Sequence, residues 1–322
     1  MDNSEKTENI NNTDNENNNQ EESPTIKHLV IAGGGAYGFA AYGALKETCK
    51  QGFWDIKNIE NIHCTSIGGV VAVMILLGYD WETLDDYLIK RPWHEVVKYD
   101  IHTLLNCYHN CGIFDNKIFD SVFKPLFKGK DIEMDITLEE FYKKTNVNIC
   151  FYTCEINSFK LHCVSHKTYP NWRVIDAVYT SSSLPIFFKP LCIENETFID
   201  GGILVNYPLR ECLNTPDINP LEILGINKVI PNTNKDMITE ESTLLDYSTH
   251  IFNKLLESTL YDTKLDQLEG KITDKIQNQV NILSEPITTT NLYDFTYSEN
   301  MRKNTIDVGV KEAKAFLDMR LL

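Results

Sequence analysis

A serine and an aspartate, far apart in the chain, each follow an apolar run and stand close to glycines. Ser66 follows the run Asn61–Thr65, and Asp200 precedes Gly201 and Gly202. A serine hydroxyl becomes a useful nucleophile when a neighbouring base accepts its proton. A carboxylate is a modest base, and burial improves it by raising its pKa. The two residues therefore predict covalent catalysis by a Ser–Asp dyad, provided that the fold brings them together.

The residues around Ser66 resemble a nucleophile elbow. Cys64-Thr65-Ser66-Ile67-Gly68 follows the pattern G-x-S-x-G, with cysteine in place of the first glycine. In an elbow the serine lies on a strained turn from a strand into a helix, which exposes its hydroxyl. The crowded turn requires small residues on either side, and Gly68 and Cys64 are both small. The alternative for Ser66 is structural, because serine is also a favoured helix N-cap.

A glycine-rich loop precedes the serine in the chain. Glycines at a helix start expose backbone N–H groups at the positive end of the helix dipole, which suits a phosphate or an oxyanion. Acyl transfer needs such donors aimed at the developing charge. We therefore interpret the loop as an oxyanion hole, with the candidate residues Gly33, Gly34, Gly35, Ala36 and Gly38.

The same loop allows two other interpretations. Its spacing, Gly33-x-Gly35-x-x-Gly38, matches the dinucleotide-binding fingerprint. A Rossmann domain also has an acidic residue at the end of its second strand, whereas here Glu60 precedes that strand and Ser66 follows it. A nucleotide-binding domain is thus disfavoured and stays an alternative. The loop is also compatible with a bare tight turn for close helix–strand packing.

Histidine offers a second arrangement of the base. Ser66, Asp200 and His250 occur in the order of an α/β-hydrolase triad. His250 lies in an amphipathic helical pattern, where a packing or surface role is more typical. The apolar face of that pattern comprises Leu244, Leu245, Ile251, Phe252, Leu255, Leu256 and Leu260. Strand alternation points His63 away from Ser66, and Asp200 has a structural alternative because Asp-Gly pairs favour β-turns.

The elements around these residues indicate a parallel α/β fold. The apolar run 28–32 precedes a helical pattern at 39–49, and the run 61–65 precedes another at 68–77. Two strand–turn–helix units in succession are typical of a parallel sheet. Further strands are predicted at 147–155, 160–164, 191–193, 197–199 and 221–226. Mainly helical structure is predicted at 79–145, at 173–180 and beyond residue 240.

The composition is that of a globular, acidic chain. Its 322 residues are 42% hydrophobic, with a formal net charge of −16 and nine cysteines. The hydrophobic content excludes a disordered or fibrous class for most of the length. The acidic balance excludes a basic nucleic-acid surface, so no nucleic-acid partner is expected. No apolar run reaches about 18 residues, the length that a membrane span needs.

The two ends of the chain are expected to differ from its middle. Residues 1–24 form an acidic, Asn-rich tail with too few apolar groups to fold. No signal peptide is predicted, so we expect an intracellular protein, soluble or peripherally membrane-associated, with reduced cysteines. Residues 25–212 are predicted to form the catalytic domain. Residues 213–322 are predicted to add a strand and a helical extension packed on the same domain.

Four motifs in this order resemble the patatin-like phospholipase family over residues 28–208. They are the loop at 33–38, the elbow at Ser66, the block 180–185 that ends in Pro185, and the block 200–202. The resemblance implies a three-layer α/β/α patatin-like fold with a mainly parallel central sheet. It implies Ser66 as nucleophile and Asp200 as base, and it needs no metal or other cofactor. The supporting motif residues are Gly68, Pro185, Gly201 and Gly202.

The resemblance also implies a substrate and exposes some departures. The chain is expected to hydrolyse acyl esters of phospholipids or other acyl lipids at a transient membrane surface. The family usually has Arg where Tyr37 stands, Gly at Cys64, Ala at Thr180 and Gly at Ile186. These departures leave a second function open, in which a weakly active or inactive member binds lipid or a partner on the same fold.

Two other groups of residues carry weaker signals. Zinc ligation is suggested by Cys107, His109, Cys111, Cys150, Cys154, His162, Cys163 and His166. None of these pairs has C-x-x-C spacing, and cysteines in strands are usually buried apolar fillers, so no metal site is predicted. Trp81, Trp93 and Phe114 are candidates for a lipid entrance, although scattered aromatic residues are more often core.

Overall fold

The computed structural model describes residues 24–98, 109, 111–229, 238–240, 242–243, 246–248, 250–251, 254, 272–283 and 294–320. The tail at 1–24 lies outside this part of the chain except for Pro24, and its disorder stays a prediction. Of the amphipathic face predicted at 244–260, only Ile251 is described, and Cys107 of the possible zinc ligands is not.

Strands and helices alternate through most of the described chain. The strands are β1 (His28–Ile31), β2 (Asn61–Thr65), β3 (Gly112–Phe114), β4 (Asn148–Glu155), β5 (Lys160–Val164), β6 (Ile186–Phe188), β7 (Leu191–Ile193), β8 (Glu196–Asp200), β9 (Ile223–Val229) and β10 (Gln279–Leu283). The helices are α1 (Tyr37–Lys50), α2 (Ile67–Leu76), α3 (Trp81–Lys90), α4 (Trp93–Val96), α5 (Lys117–Lys128), α6 (Leu138–Thr145), α7 (Val174–Ser182), α8 (Leu209–Leu213) and α9 (Glu299–Arg320). Short 3₁₀ helices cover Ile56–Asn58, Gly201–Ile203, Pro220–Glu222 and Ile272–Lys275.

One large sheet carries most of these strands. Its order is β10-β9-β1-β2-β4-β8-β7, and β5 pairs with β4 in addition. The five strands from β10 to β4 are parallel, whereas β5 and β8 run antiparallel to β4. Parallel strands end at one edge, which is where open α/β sheets bind ligands. Asp200, the last residue of β8, reaches the same edge because it pairs with Thr153.

Helices cover both faces of this sheet. On one face the larger core joins α1, α2, α7 and α9 to alternate strand residues such as Leu29 and Ile31. On the opposite face a smaller core consists of Val30, Leu209, Cys212, Ile223 and Ile276. The predicted three-layer α/β/α fold with a mainly parallel sheet is therefore confirmed. None of the described helices combines the length and apolar content needed to cross a bilayer.

The C-terminal helix α9 packs along α1 at very short range. A Cβ atom on Gly309 would lie 1.8 Å from the carbonyl oxygen of Ala40, and one on Gly43 would lie 2.2 Å from that of Ile306. The two backbones can approach this closely only because both positions are glycine. Since α1 begins at the glycine loop, α9 supports the element on which that loop depends.

Some predicted elements are wrong in detail. The region beyond residue 240, predicted as helical, contains β10, in which Val280 and Ile282 are buried in the period-two pattern of a strand. The strand predicted from 221 begins at Ile223, because the preceding Pro220–Glu222 form a 3₁₀ helix capped by Asn219. The strands β3 and β6, which pair in a small parallel sheet of their own, were not predicted from the sequence.

Candidate active site

Ser66 lies at the turn between β2 and α2. Its φ is 55° and its ψ is −129°, a conformation that non-glycine residues seldom adopt and that is often found at functional sites. The turn is crowded, because a Cβ atom on Gly68 would lie 2.6 Å from the carbonyl oxygen of Ile31. Cys64 fits on the other side, where its buried thiol donates a hydrogen bond to the carbonyl oxygen of Cys150 at 3.5 Å. The structure thus places Ser66 in an elbow.

Asp200 and Ser66 are in direct contact. The Ser66 hydroxyl donates a hydrogen bond of 2.6 Å to Oδ2 of Asp200. The other carboxylate oxygen, Oδ1, accepts the backbone N–H of Gly202 at 2.7 Å. The Asp200 N–H donates to the carbonyl oxygen of Ser183 at 3.0 Å, which fixes the end of β8 against α7. Gly201 must be glycine, since a Cβ atom there would lie 2.2 Å from the carbonyl oxygen of Tyr152.

Burial makes Asp200 a better base. Only 3% of the residue is exposed, and burial raises the pKa of its carboxyl group to about 6, against the smaller opposing effects of the hydrogen bonds from Ser66 and Gly202. A buried carboxylate is poorly solvated and therefore binds a proton more tightly. A pKa near neutral pH suits a group that must accept a proton and return it.

The glycine loop leaves three backbone amides unused beside the serine. Gly34 and Gly35 have positive φ values of 148° and 59°, which turn the chain sharply between β1 and α1. Within the described residues, the N–H groups of Gly34, Gly35 and Ala36 donate to no protein acceptor. Gly38 donates instead to the carbonyl oxygen of Gly35 at 3.0 Å. The free amides line the same cavity as Ser66 and Asp200.

The backbone N–H of Gly33, unlike those of the next three residues, is already hydrogen-bonded within the protein. Its N–H donates to the carbonyl oxygen of Asn206 at 2.9 Å. A Cβ atom on Gly33 would lie 2.7 Å from Oδ1 of Asn206 and 3.0 Å from Cβ of Ser66. The loop therefore packs directly against the elbow. The role of Asn206 was not assigned from the sequence, although its place after the Asp200 block was a signal.

The block 180–185, which ends in Pro185, contacts the elbow through a hydrogen bond from the backbone of Ser66. Ser181 Oγ accepts the N–H of Ser66 at 2.9 Å and donates to the carbonyl oxygen of Tyr152 at 2.6 Å. Pro185 follows α7 and precedes β6. The next residue, Ile186, has a φ of 77°, a conformation that strains a β-branched residue. The departure from glycine at this position thus has a local backbone cost.

Neither histidine considered above joins the dyad. The two carboxylate oxygens of Asp200 accept from Ser66 and Gly202, and His250 does not line the cavity. His63 is buried, contacts the Tyr152 hydroxyl through Nδ1 at 2.9 Å, and has its pKa lowered to about 3 chiefly by burial. His63 is therefore neutral and faces away from Ser66, as the strand alternation predicts.

A cavity of about 290 Å³ opens beside the dyad. Its walls are mostly aliphatic and aromatic, and they include Val70, Val71, Met74, Leu88, Phe119 and Phe187. Trp93 and Phe114 also line it, whereas Trp81 does not. Phe295 and Thr296, which carry no sequence motif, contribute from the segment before α9. Such a cavity suits an apolar chain more than a polar ligand.

Within the described residues, no three His, Cys, Asp or Glu side chains are grouped as a metal site would require. Cys150 and Cys154 are buried in β4, as apolar strand fillers would be.

Comparisons with known proteins identify the family of this chain. A family model described as Patatin-like phospholipase matches residues 29–213, more than half of the chain. The chain belongs to the patatin-like phospholipase family. At the level of the family, the match supports a lipid hydrolase.

Individual relatives of the patatin-like chain are distant. It is 26% identical to "Uncharacterized protein R571" of Acanthamoeba polyphaga mimivirus, over 66% of this chain and 68% of that protein. It is 25% identical to "Probable lipid hydrolase 463L" of Invertebrate iridescent virus 6, over 57% of this chain and 62% of that protein. Among solved structures, VipD from Legionella pneumophila matches with a TM-score of 0.54 at 17% identity, covering 92% of this chain and 67% of that one. At that identity the likeness concerns the fold alone.

Proposed function

We propose that this chain hydrolyses acyl esters of lipids through the Ser66–Asp200 dyad, in the manner of a phospholipase A. The observation that carries the proposal is the 2.6 Å hydrogen bond between Ser66 and Asp200, both of which line an apolar cavity. A nucleophile in contact with its base, beside unused backbone donors, is the arrangement that acyl transfer needs.

The reaction has two halves. In the first, Oγ of Ser66 attacks the ester carbonyl carbon while Oδ2 of Asp200 accepts the hydroxyl proton. The carbonyl oxygen becomes an oxyanion, held by the N–H groups of Gly34, Gly35 and Ala36. The C–O bond to the leaving alcohol then breaks, and the alcohol takes the proton from Asp200, leaving an acyl-Ser66 ester.

The second half releases the fatty acid. Asp200 accepts a proton from water, whose oxygen attacks the acyl-Ser66 carbonyl. Collapse of the new oxyanion breaks the bond to Oγ of Ser66, which regains its proton from Asp200. The acyl chain occupies the apolar cavity during both halves. Each oxyanion donor is expected to contribute about 10²–10³ in rate.

The test is fatty-acid release from a mixed-acyl phosphatidylcholine. The wild type is expected to release fatty acid, whereas Ser66→Ala and Asp200→Asn lose most of the activity. General-base catalysis contributes about 10²–10⁴ to such rates. His250→Ala is the matched control, because the triad alternative requires it to be as damaging as Asp200→Asn. Release that persists in Ser66→Ala would disprove the mechanism.

The weakly active alternative is tested at the same serine. A fluorophosphonate probe forms a covalent bond with an activated serine and needs no lipid recognition. Labelling of the wild type, but not of Ser66→Ala, is expected. An unlabelled, folded wild type would favour a member that binds lipid without hydrolysing it.

A further inference from the structure

The cavity beside the dyad contains one basic side chain. Among the described residues that line it, Asp200 and Lys228 are the only two of the types Asp, Glu, His, Lys and Arg. Lys228 lies in β9, beyond the segment 29–213 that matches the family model. No motif in the sequence drew attention to this residue.

The strand pairing places Lys228 at the site. β9 is parallel to β1, with Ile226 opposite Ile31. Lys228 lies two residues further on, level with the glycine loop, and its side chain points to the same face of the sheet as that of Ile226. Ile226 belongs to the core that contains α1, so this is the face on which the oxyanion loop lies. Asn227 points to the opposite face.

The side chain of Lys228 packs against the glycine loop. A Cβ atom on Gly34 would lie 2.7 Å from Cδ and 3.0 Å from Nζ of Lys228. The stem of Lys228 therefore crosses the loop at Gly34, where a side chain would collide with it. The neighbouring Gly33 lies against Ser66 in the same way, since a Cβ atom on Gly33 would lie 3.0 Å from Cβ of the serine. The lysine and the nucleophile thus lie on adjoining residues of one loop.

We infer that Lys228 is the residue with which this chain binds the phosphate group of its lipid substrate. The inference rests on the proposed hydrolase function and assigns a specificity-determining residue to it. An ester carbonyl bound at Ser66 points its oxygen to the loop amides and its acyl chain into the apolar cavity. In a phospholipid the phosphate is only a few covalent bonds from that ester, and Lys228 supplies a cation at the adjoining residue.

Chemistry favours a phosphate over other groups here. Lysine binds phosphate as a point charge through charge-assisted hydrogen bonds, which are stronger than neutral ones. Apolar walls strengthen the attraction, because the local dielectric is lower than that of water. A neutral acyl lipid offers the ammonium group only uncharged ester and hydroxyl oxygens, which bind it less strongly than a phosphate does.

The decisive experiment compares two substrates with the same short acyl chains. Dihexanoylphosphatidylcholine carries a phosphate, and dihexanoylglycerol does not. The wild type is expected to have a kcat/KM about 10- to 100-fold higher for the phosphatidylcholine, as one charge-assisted hydrogen bond allows. Lys228→Met should remove most of this ratio, whereas Lys228→Arg should retain most of it.

Lys124→Met is the matched control. It makes the same change of charge on the exposed face of α5, a helix that contributes Ile118, Phe119 and Val122 to the cavity wall. The wild-type ratio is expected to survive in Lys124→Met. A wild type with no preference between the two lipids overturns the inference, as does a Lys228→Met variant that loses activity equally on both, since that result means that Lys228 assists the oxyanion or the fold.

A binding measurement separates this inference from the hydrolase function. In a Ser66→Ala background nothing is turned over, and Trp93 in the cavity wall reports occupancy by its fluorescence. The phosphatidylcholine is expected to bind about 10- to 100-fold more tightly than the diacylglycerol, and Lys228→Met should cancel the difference. Equal binding of the two lipids refutes the role of Lys228 even if the wild type is active. If the wild type hydrolyses no ester but the binding difference is present, the hydrolase function fails and the phosphate site stands.

Inorganic phosphate distinguishes a lipid-borne phosphate from a free one. It is expected to displace the phosphatidylcholine only weakly, since it fills none of the apolar cavity. If inorganic phosphate binds as tightly as the phospholipid, the site is one for free anions, and the assignment to a lipid head group is overturned.

Discussion

The hydroxyl of Ser181 accepts the backbone N–H of Ser66 at 2.9 Å and donates to the carbonyl oxygen of Tyr152 at 2.6 Å. Ser66 has a strained backbone, with a φ of 55°. Strained conformations persist only where the surroundings over-determine them. Ser181 is fully buried and joins the elbow to β4, so it is one of the groups that hold the nucleophile in its conformation.

Ser181→Ala is expected to cost both stability and rate. The substitution leaves a buried N–H and a buried carbonyl oxygen without their partner, which costs about 1–3 kcal/mol of unfolding free energy. Because Ser66 loses a positioning contact and no substrate contact, kcat should fall more than KM rises. Denaturant unfolding and ester-hydrolysis kinetics measure the two effects.

Thr48→Ala is the control for that prediction. Its buried hydroxyl also accepts one hydrogen bond, from Trp54 Nε1 at 2.9 Å, and donates to the carbonyl oxygen of Ala44 at 2.8 Å. Thr48 lies at the far end of α1, away from the cavity. A similar loss of stability without a loss of kcat is expected. Equal losses of kcat in both variants would mean that Ser181 acts only through global stability.

The pKa of Asp200 predicts how activity depends on pH. Only the ionised carboxylate can accept the proton of Ser66, and burial raises its pKa to about 6. The kcat/KM for a soluble ester should therefore rise as pH increases through about 6 and then level off, because kcat/KM reports ionisation of the free enzyme. A limb near the ordinary carboxyl pKa of about 4 would contradict the buried base. Circular dichroism over the same range checks that the fold is intact.

The same pKa predicts an effect on stability. A carboxyl group whose pKa is higher in the folded state stabilises the fold below its unfolded pKa, and this contribution is lost as pH rises through about 6. From an ordinary value of 3.8 to about 6, the buried charge costs on the order of 3 kcal/mol above pH 6. Asp200→Asn carries no charge, so it should gain stability relative to wild type between about pH 4 and pH 7. Urea unfolding of both proteins at the two pH values measures the change, and a difference independent of pH would contradict it.

Much of this site was predictable because its motifs are local. The glycine loop and the elbow each join one strand to the next helix, so the residues that define them lie within a few positions of one another. The contact between Ser66 and Asp200 is not local, and only the order of the motifs indicated it. The position of β8, antiparallel to β4, makes that contact.

Other parts of the site have no local signal. Lys228, Phe295 and Thr296 line the cavity from segments that carry no motif, and only the pairing of β9 with β1 and the packing of α9 bring them there. The strands β3 and β6 have three residues each, too few for a periodic pattern. In β10 the alternation was present in Gln279–Leu283, but it lies in a region whose other residues favoured helix.

Arg302 joins two segments that contribute to the cavity wall. Its guanidinium group is buried and donates to the carbonyl oxygens of Ile89 at 2.6 and 2.9 Å, Phe295 at 2.8 Å and Thr296 at 3.0 Å. Ile89 lies in α3, next to Leu88 of the cavity wall, and the other two acceptors are themselves lining residues. The one side chain therefore ties the segment before α9 to α3, which contributes Leu88 to the cavity wall.

Arg302→Met should loosen the acyl cavity as well as the fold. It removes the arginine donor from three carbonyl oxygens, two of them in buried hydrogen bonds, at about 1–3 kcal/mol each, so a loss of several kcal/mol in unfolding free energy is expected. Because Phe295 then lacks its anchor, kcat/KM should fall more for long-chain esters than for short-chain ones, which reach less of the wall. Lys314→Met is the control, since its ammonium group lies on the exposed side of α9, 3.9 Å from Glu47. If Arg302→Met lowers activity equally for all chain lengths, the segment before α9 does not bind the acyl chain.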